Sequence, residues 1–179
     1  MAKTTIPAGI WNIDPSHSTV GFVARHLVIS KVRGSFRSFS GAITIGEQQL
    51  ESSVTASIDM ASVDTSDEGR DGHIKGEDFF DVAKFPTMTF TSTKVTQDGD
   101  DFEVTGDLTI KGVTRSVILD LEFNGVSKDP WGGTRAGFSA ETEINRKDFG
   151  LEWNVVMETG GILVGEKIKI ELDIQAVQA

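Results

Sequence analysis

Apolar and polar residues alternate with a period of two along most of the chain. Val54, Ala56, Ile58 and Met60 alternate with Thr55, Ser57 and Asp59. Phe102, Val104, Gly106, Leu108 and Ile110 alternate with Glu103, Thr105, Asp107 and Thr109. The same pattern runs through Val117, Leu119, Leu121 and Phe123, through Ala136, Phe138, Ala140, Thr142 and Ile144, and through Ile168, Ile170, Leu172 and Ile174. Softer versions sit at Val20, Phe22 and Ala24, at Ile43 and Ile45, and at Met88 and Phe90. A period of two marks a strand with one buried face and one wet face.

Turn-forming pairs fall between these runs: Asp98-Gly99, Asn124-Gly125, Asp129-Pro130, Gly132-Gly133 and Gly160-Gly161. Lys111-Gly112 separates two strands so closely that a tight hairpin is expected. About eight strands result, and continuous strand–helix alternation is absent, which predicts an antiparallel barrel or sandwich rather than a parallel α/β fold. Two stretches break the pattern. Residues 64–81 are acidic and glycine-containing, and are expected to form a loop with a helical turn or two, capped by Ser66 or Asp67 and pinned by Phe79, Phe80 and Phe85. Residues 148–165 carry Phe149, Leu151, Trp153, Met157, Ile162 and Leu163, apolar side chains that a barrel mouth would accommodate.

The 179 residues fit a single domain, 1–179, long enough to bury a core without staples. There is no cysteine, which excludes disulfides, thiolate metal sites and cysteine nucleophiles. The net charge of −10 opposes binding to nucleic acid and to anionic surfaces. A local basic patch of Arg25, Lys31, Arg33 and Arg37 reads as a solvated strand edge. No stretch reaches the ~20 apolar residues of a membrane-spanning helix. No apolar run of signal-peptide length stands near Met1, so the chain reads as cytoplasmic, with a processed periplasmic or secreted form left open.

The inward faces of the clear strands carry no charge. A barrel of about eight strands is either filled by its own side chains or holds one small ligand. Small inward residues (Ala24, Ala56, Gly106, Ala136 and Ala140) favour a cavity, while ordinary large–small alternation would give a solid core. A cavity so lined would select by hydrophobic transfer, at about 0.8 kcal/mol per buried methylene. Eleven phenylalanines and no tyrosine supply aromatic surface without hydroxyls that need partners.

The segment Trp11-Asn12-Ile13-Asp14-Pro15-Ser16-His17-Ser18 resembles the W-x-I-D-x-x-H-S opening of the YceI family. Gly34-Ser35-Phe36, Arg70-Asp71-Gly72-His73, Asp78-Phe79-Phe80-Asp81, Phe85-Pro86, the run Gly106 to Thr114, and Arg146-Lys147-Asp148-Phe149-Gly150 resemble its later signatures, in order. Gly72 and Ile74 depart mildly from its usual R-D-x-H-L. The resemblance implies an all-β, antiparallel, up-and-down lipocalin-like barrel of about eight strands with a short helical loop. It also implies a pocket for polyisoprenoid or other lipid-like molecules and no established catalytic reaction. Many members of that family are periplasmic.

The expected function is therefore a binding or carrier protein for a long apolar ligand of polyisoprenoid, isoprenoid-quinone or fatty-acyl type, with no turnover, cofactor or metal. Candidate pocket residues are Phe22, Phe36, Phe39, Ile58, Phe79, Phe80, Phe85, Phe90, Leu108, Leu119, Ala136, Phe138 and Ala140. Candidate head-group residues at a polar mouth are His17, Arg70, Asp71 and His73, against which stand ordinary turn-forming and loop-ordering roles. The histidines, His17, His26 and His73, lack metal-motif spacing. Ser16, His17 and Asp14 are too close in sequence to face one another as a hydrolase triad, and no Gly-x-Ser-x-Gly elbow exists. Two rivals stay open. One is a lyase or isomerase using His73 or His17 as base inside the cavity. The other is a solid barrel whose acidic face binds a protein. A homodimer is also open, with no residue arguing for it.

Overall fold

The computed structural model describes residues 5–27, 29–154 and 164–179. Its strands are β1 (Gly9–Ile13), β2 (Thr19–His26), β3 (Ser30–Phe36), β4 (Phe39–Ile45), β5 (Ser53–Asp59) and β6 (Val63–Asp64). A short helix, α1 (Glu68–Lys75), follows, then β7 (Thr87–Asp98), β8 (Asp101–Ile110), β9 (Val113–Lys128), β10 (Thr134–Asn145) and β11 (Val164–Gln178). All pairings are antiparallel, in the order β1-β4-β5-β7-β8-β9-β10-β11-β2-β3-β6. A second pairing, β1 with β11, closes a ring of eight strands. β1 and β2 lie end to end along one edge of β11: Trp11–Ile13 pair with Ala176–Gln178, and β2 pairs with the earlier half of β11 from Asp173 back to Val164. From that edge β2, β3 and β6 leave the ring as a ribbon. The fold is thus a closed antiparallel eight-stranded barrel with one short α-helix among the described residues, the barrel that the family resemblance implies and one of the two architectures that the alternation left open.

Local chemistry explains the joints. At Lys111 and Gly112 both φ angles are positive, 52° and 75°, the geometry that lets a two-residue turn match the strand twist. Asn124-Gly125 does not form the expected turn. β9 runs through it to Lys128, and the register against β10 slips there, with Gly137 opposite Gly125 and Phe138 opposite Phe123. Gly125, at φ 128°, absorbs the bulge that re-aims the strand. Asp67 caps α1, its carboxylate accepting from the Arg70 amide at 2.9 Å. The expected turn at Gly160-Gly161 lies outside the described residues, as do Met157, Ile162 and Leu163.

The core has two parts. One, around Trp11, joins Ile6, Ile45, Phe123, Ala136, Phe138 and Ala176. The Trp11 indole N–H donates to the Pro7 carbonyl at 3.0 Å, so the segment before β1 is tied down and Ile6 is buried at this end. The other part runs through the barrel to the end nearer the Lys111-Gly112 hairpin, where Met60, Val63, Phe149 and Leu151 are buried.

Candidate functional site

Side chains from almost every ring strand converge on an internal cavity of about 190 Å³. The wall is aliphatic and aromatic. Its polar members are Thr142 on β10, Gln49 and Ser52 in the β4–β5 connection, and Ser53 at the start of β5. Among the described residues no acid, base or histidine lines it. Such a space attracts apolar surface and penalises an unpaired charge.

Seven expected pocket residues line this cavity: Phe39, Ile58, Phe90, Leu108, Leu119, Phe138 and Ala140. The others stand elsewhere. Ala136 is buried beside Trp11, Phe123 and Ala176. Phe22 and Phe36 stack on each other, ring centres 5.7 Å apart, and Phe80 lies 6.1 Å from Phe36. Phe85 covers the Lys111-Gly112 turn, and Phe79 packs on His73 and Trp153. Residues not singled out beforehand include Ile6, Ile13, Val95, Phe102, Val104, Leu121 and Ile170. Most of these occupy inward positions of the alternating pattern, which was the available signal. Gln49 and Ser52 in the connection, and Ser53 at the start of β5, carry no such signal. Gly106 does not widen the space as its size implied: the Phe90 ring lies over it, where a Cβ would also stand 2.7 Å from the Thr91 carbonyl oxygen.

The four head-group candidates do not form one collar, and none lines the cavity. His17 lies in the barrel wall where β1 hands over to β2. Its Nδ1 is 2.9 Å from Asp14, whose carboxylate also accepts from Ser16 and, at 2.7 Å, from Arg135. Arg135 bridges onward to Asp129 at 2.9 Å in the β9–β10 turn. The hydrogen bond from Arg135 holds the Asp14 carboxyl well below the usual carboxylate range. For Asp129 the largest cause of a lowered pKa is the Gly133 amide. Arg70 and Asp71 grip Thr65: Arg70 donates to its hydroxyl at 2.8 Å and its carbonyl at 2.7 Å, and Asp71 accepts from its amide at 2.9 Å. His73 bonds Asp78 at 2.9 Å and meets the Trp153 ring edge-on at 4.6 Å. These contacts order the segment around α1.

One buried charge entered the sequence reading only as part of the Arg146-Lys147-Asp148-Phe149-Gly150 signature, with no role of its own. Arg146 is 2 % exposed and gives its N–H groups to the carbonyls of Leu151, Trp153, Val164 and Gly165. Burial lowers its pKa, and those carbonyls compensate for water. It fastens both ends of the connection between β10 and β11.

A closed antiparallel barrel around an apolar cavity defines a class of proteins that enclose hydrophobic ligands. A family model for the YceI-like domain matches residues 11–176. Protein YceI of Escherichia coli is 45 % identical over 140 residues, covering 78 % of this chain and 73 % of that protein. The crystal structure of the Campylobacter jejuni YCEI protein matches with a TM-score of 0.74 and 32 % identity, over 100 % of this chain and 99 % of that one. A polyisoprenoid-binding domain from Saccharophagus degradans, implicated in plant cell wall breakdown, shares the fold at TM-score 0.72 and 18 % identity, over 97 % and 100 % of the two chains. The chain belongs to the YceI family. No helix among the described residues is long and apolar enough to cross a membrane.

Proposed function

We propose that the chain is a carrier protein that encloses a long apolar ligand, of polyisoprenoid, isoprenoid-quinone or fatty-acyl type, and releases it unchanged. The observation that carries this reading is the cavity wall, apolar on nearly every side and without a titratable group among the described residues. Proton transfer needs an acid or base within reach of the substrate, and neither His17 nor His73 provides one in the cavity. The polyisoprenoid-binding relative in fold supports the same ligand class. At about 190 Å³ the space exceeds the ~150 Å³ engineered cavity that takes up benzene. It therefore seats part of a long chain, with the remainder directed to the end lined by Ile6, Gln49, Ser52 and Ser53.

The test is displacement of a fluorescent apolar probe, N-phenyl-1-naphthylamine, by straight-chain alcohols of increasing length. Affinity is expected to rise by up to about fourfold per methylene, the equivalent of ~0.8 kcal/mol, and then to level off. Absence of probe uptake, or displacement that ignores chain length, would overturn the reading.

A further inference from the structure

The hairpin of β2 and β3 stands apart chemically from the rest of the molecule. The chain carries a charge of −10, yet Arg25, Lys31 and Arg33 gather on this ribbon. Arg25 and Lys31 are cross-strand partners next to the turn and project from the same face. Arg33 reaches Glu171 at 3.7 Å, and the neighbouring Lys167 and Lys169 are matched by Glu143 and Glu141. Arg25 and Lys31 have no acidic partner among the described residues and are exposed. At the tip Ile29 is 85 % exposed, more than any other large hydrophobic residue among those described.

A basic edge alone has a simple explanation, since lysine on a free strand edge discourages pairing with another chain. β6 covers β3 at Ser35 and Phe36, so among the described residues Ser30 to Gly34 present a free edge. Edge protection does not account for an isoleucine held in water at the tip, where a polar residue would serve the turn better. An apolar tip flanked on one face by two cations is the pattern of an element that enters the boundary of a bilayer bearing negative charge. The opposite face of the ribbon continues the theme. Val20 lines the cavity, Phe22 follows it with its ring laid over Gly34, and Ala24 leads on toward the tip. An apolar track thus runs from the cavity wall as far as Ala24 and its partner Val32, beyond which His26 and Ser30 lead to the tip.

We propose that the β2–β3 hairpin docks the protein on an anionic lipid bilayer, with Ile29 entering the acyl boundary and Arg25 and Lys31 against lipid phosphates. The acidic row of Glu103, Asp120, Glu122 and Glu141 shares a groove with Arg33 and Gly34 at the base of the hairpin, so the contact with anionic lipid is confined to the tip and to Arg25 and Lys31. A carrier of hydrophobic cargo is thereby brought to its source, although docking itself does not require the cavity to be occupied.

The test is co-sedimentation of the full chain with vesicles of phosphatidylcholine containing 30 % phosphatidylglycerol, and with pure phosphatidylcholine. Binding is expected to the anionic vesicles alone and to weaken between 0.05 and 0.3 M salt. The double variant Arg25→Ser/Lys31→Ser should bind about 30-fold more weakly, at ~1 kcal/mol per charge, and Ile29→Ser should also lose affinity. Both should keep the strand circular dichroism and naphthylamine uptake of the parent. No binding to the anionic vesicles, or variants that bind as tightly as the parent, would overturn the proposal. So would equal binding to duplex DNA lost in the same double variant, which marks a general polyanion site. Probe uptake is measured separately, so failure of docking and failure of the carrier reading are distinguishable.

Discussion

Replacing Ala140 by leucine tests the cavity directly. Ala140 lies on the inner face of β10 and lines the empty space. Leucine adds three carbons there. Their transfer contributes about 2.4 kcal/mol at ~0.8 kcal/mol each, and freezing the new rotamers costs about 0.5–1 kcal/mol. The net gain of about 1.5 kcal/mol corresponds to a rise in Tm of about 3–6 °C for a protein of this size. The same carbons occupy ligand space, so naphthylamine affinity should fall at least tenfold. Thermal melts and a fluorescence titration on parent and variant read both quantities. A lower Tm together with unchanged probe uptake would refute the reasoning, because it would mean that Ala140 faces packed atoms and that the ligand goes elsewhere.

Ala136→Phe should behave oppositely in stability. Its site is packed against Trp11 and Phe123, so the larger ring costs about 1–3 kcal/mol by denaturant titration. Gly106→Ala should destabilise by a similar ~1–3 kcal/mol, because the new methyl meets the Phe90 ring and the Thr91 carbonyl. Arg146→Met strips donors from four buried or half-buried carbonyls and should cost at least ~3 kcal/mol; faster hydrogen exchange at residues 151–154 would report it. Asp14 titrates below its ordinary range in the folded state, held there chiefly by Arg135. Its contribution is therefore fully present above about pH 4, the unfolded value, and is lost as pH falls toward the lower folded value. The Tm gap between parent and Asp14→Asn should be constant from pH 5 to 7 and shrink on acidification below pH 4; a gap that widens on acidification would refute this.

How much of this was readable from residues alone depends on where the period of two applies. Within strands it assigned the inner face correctly, and Leu108, Leu119 and Ala140 reach the cavity. Phe79, Phe80 and Phe85 lie in an irregular segment with no period, so hydrophobicity named them without placing them, and they pack around α1 and the hairpin turn instead. Ala136 and Ala140 share one face of β10. They part because Trp11 fills the space beside Ala136, which depends on the β1–β11 closure and is invisible without cross-strand register. Gly106 and Gly34 are small because aromatic rings lie across them, a contact fixed by the neighbouring strand. Asn124-Gly125 carries the composition of a turn but makes a bulge, since the apolar alternation resumes at Val126 in a shifted register. Gln49, Ser52 and Ser53, the polar members of the wall between β4 and β5, had no mark beyond ordinary polarity.

Native mass spectrometry of the purified protein, before and after incubation with a long-chain isoprenoid alcohol, distinguishes a barrel that encloses a ligand from one that does not. A ligand-enclosing barrel gives a discrete one-to-one adduct that Ala140→Leu diminishes. A bare chain mass under both conditions, with the parent fully folded, would contradict it.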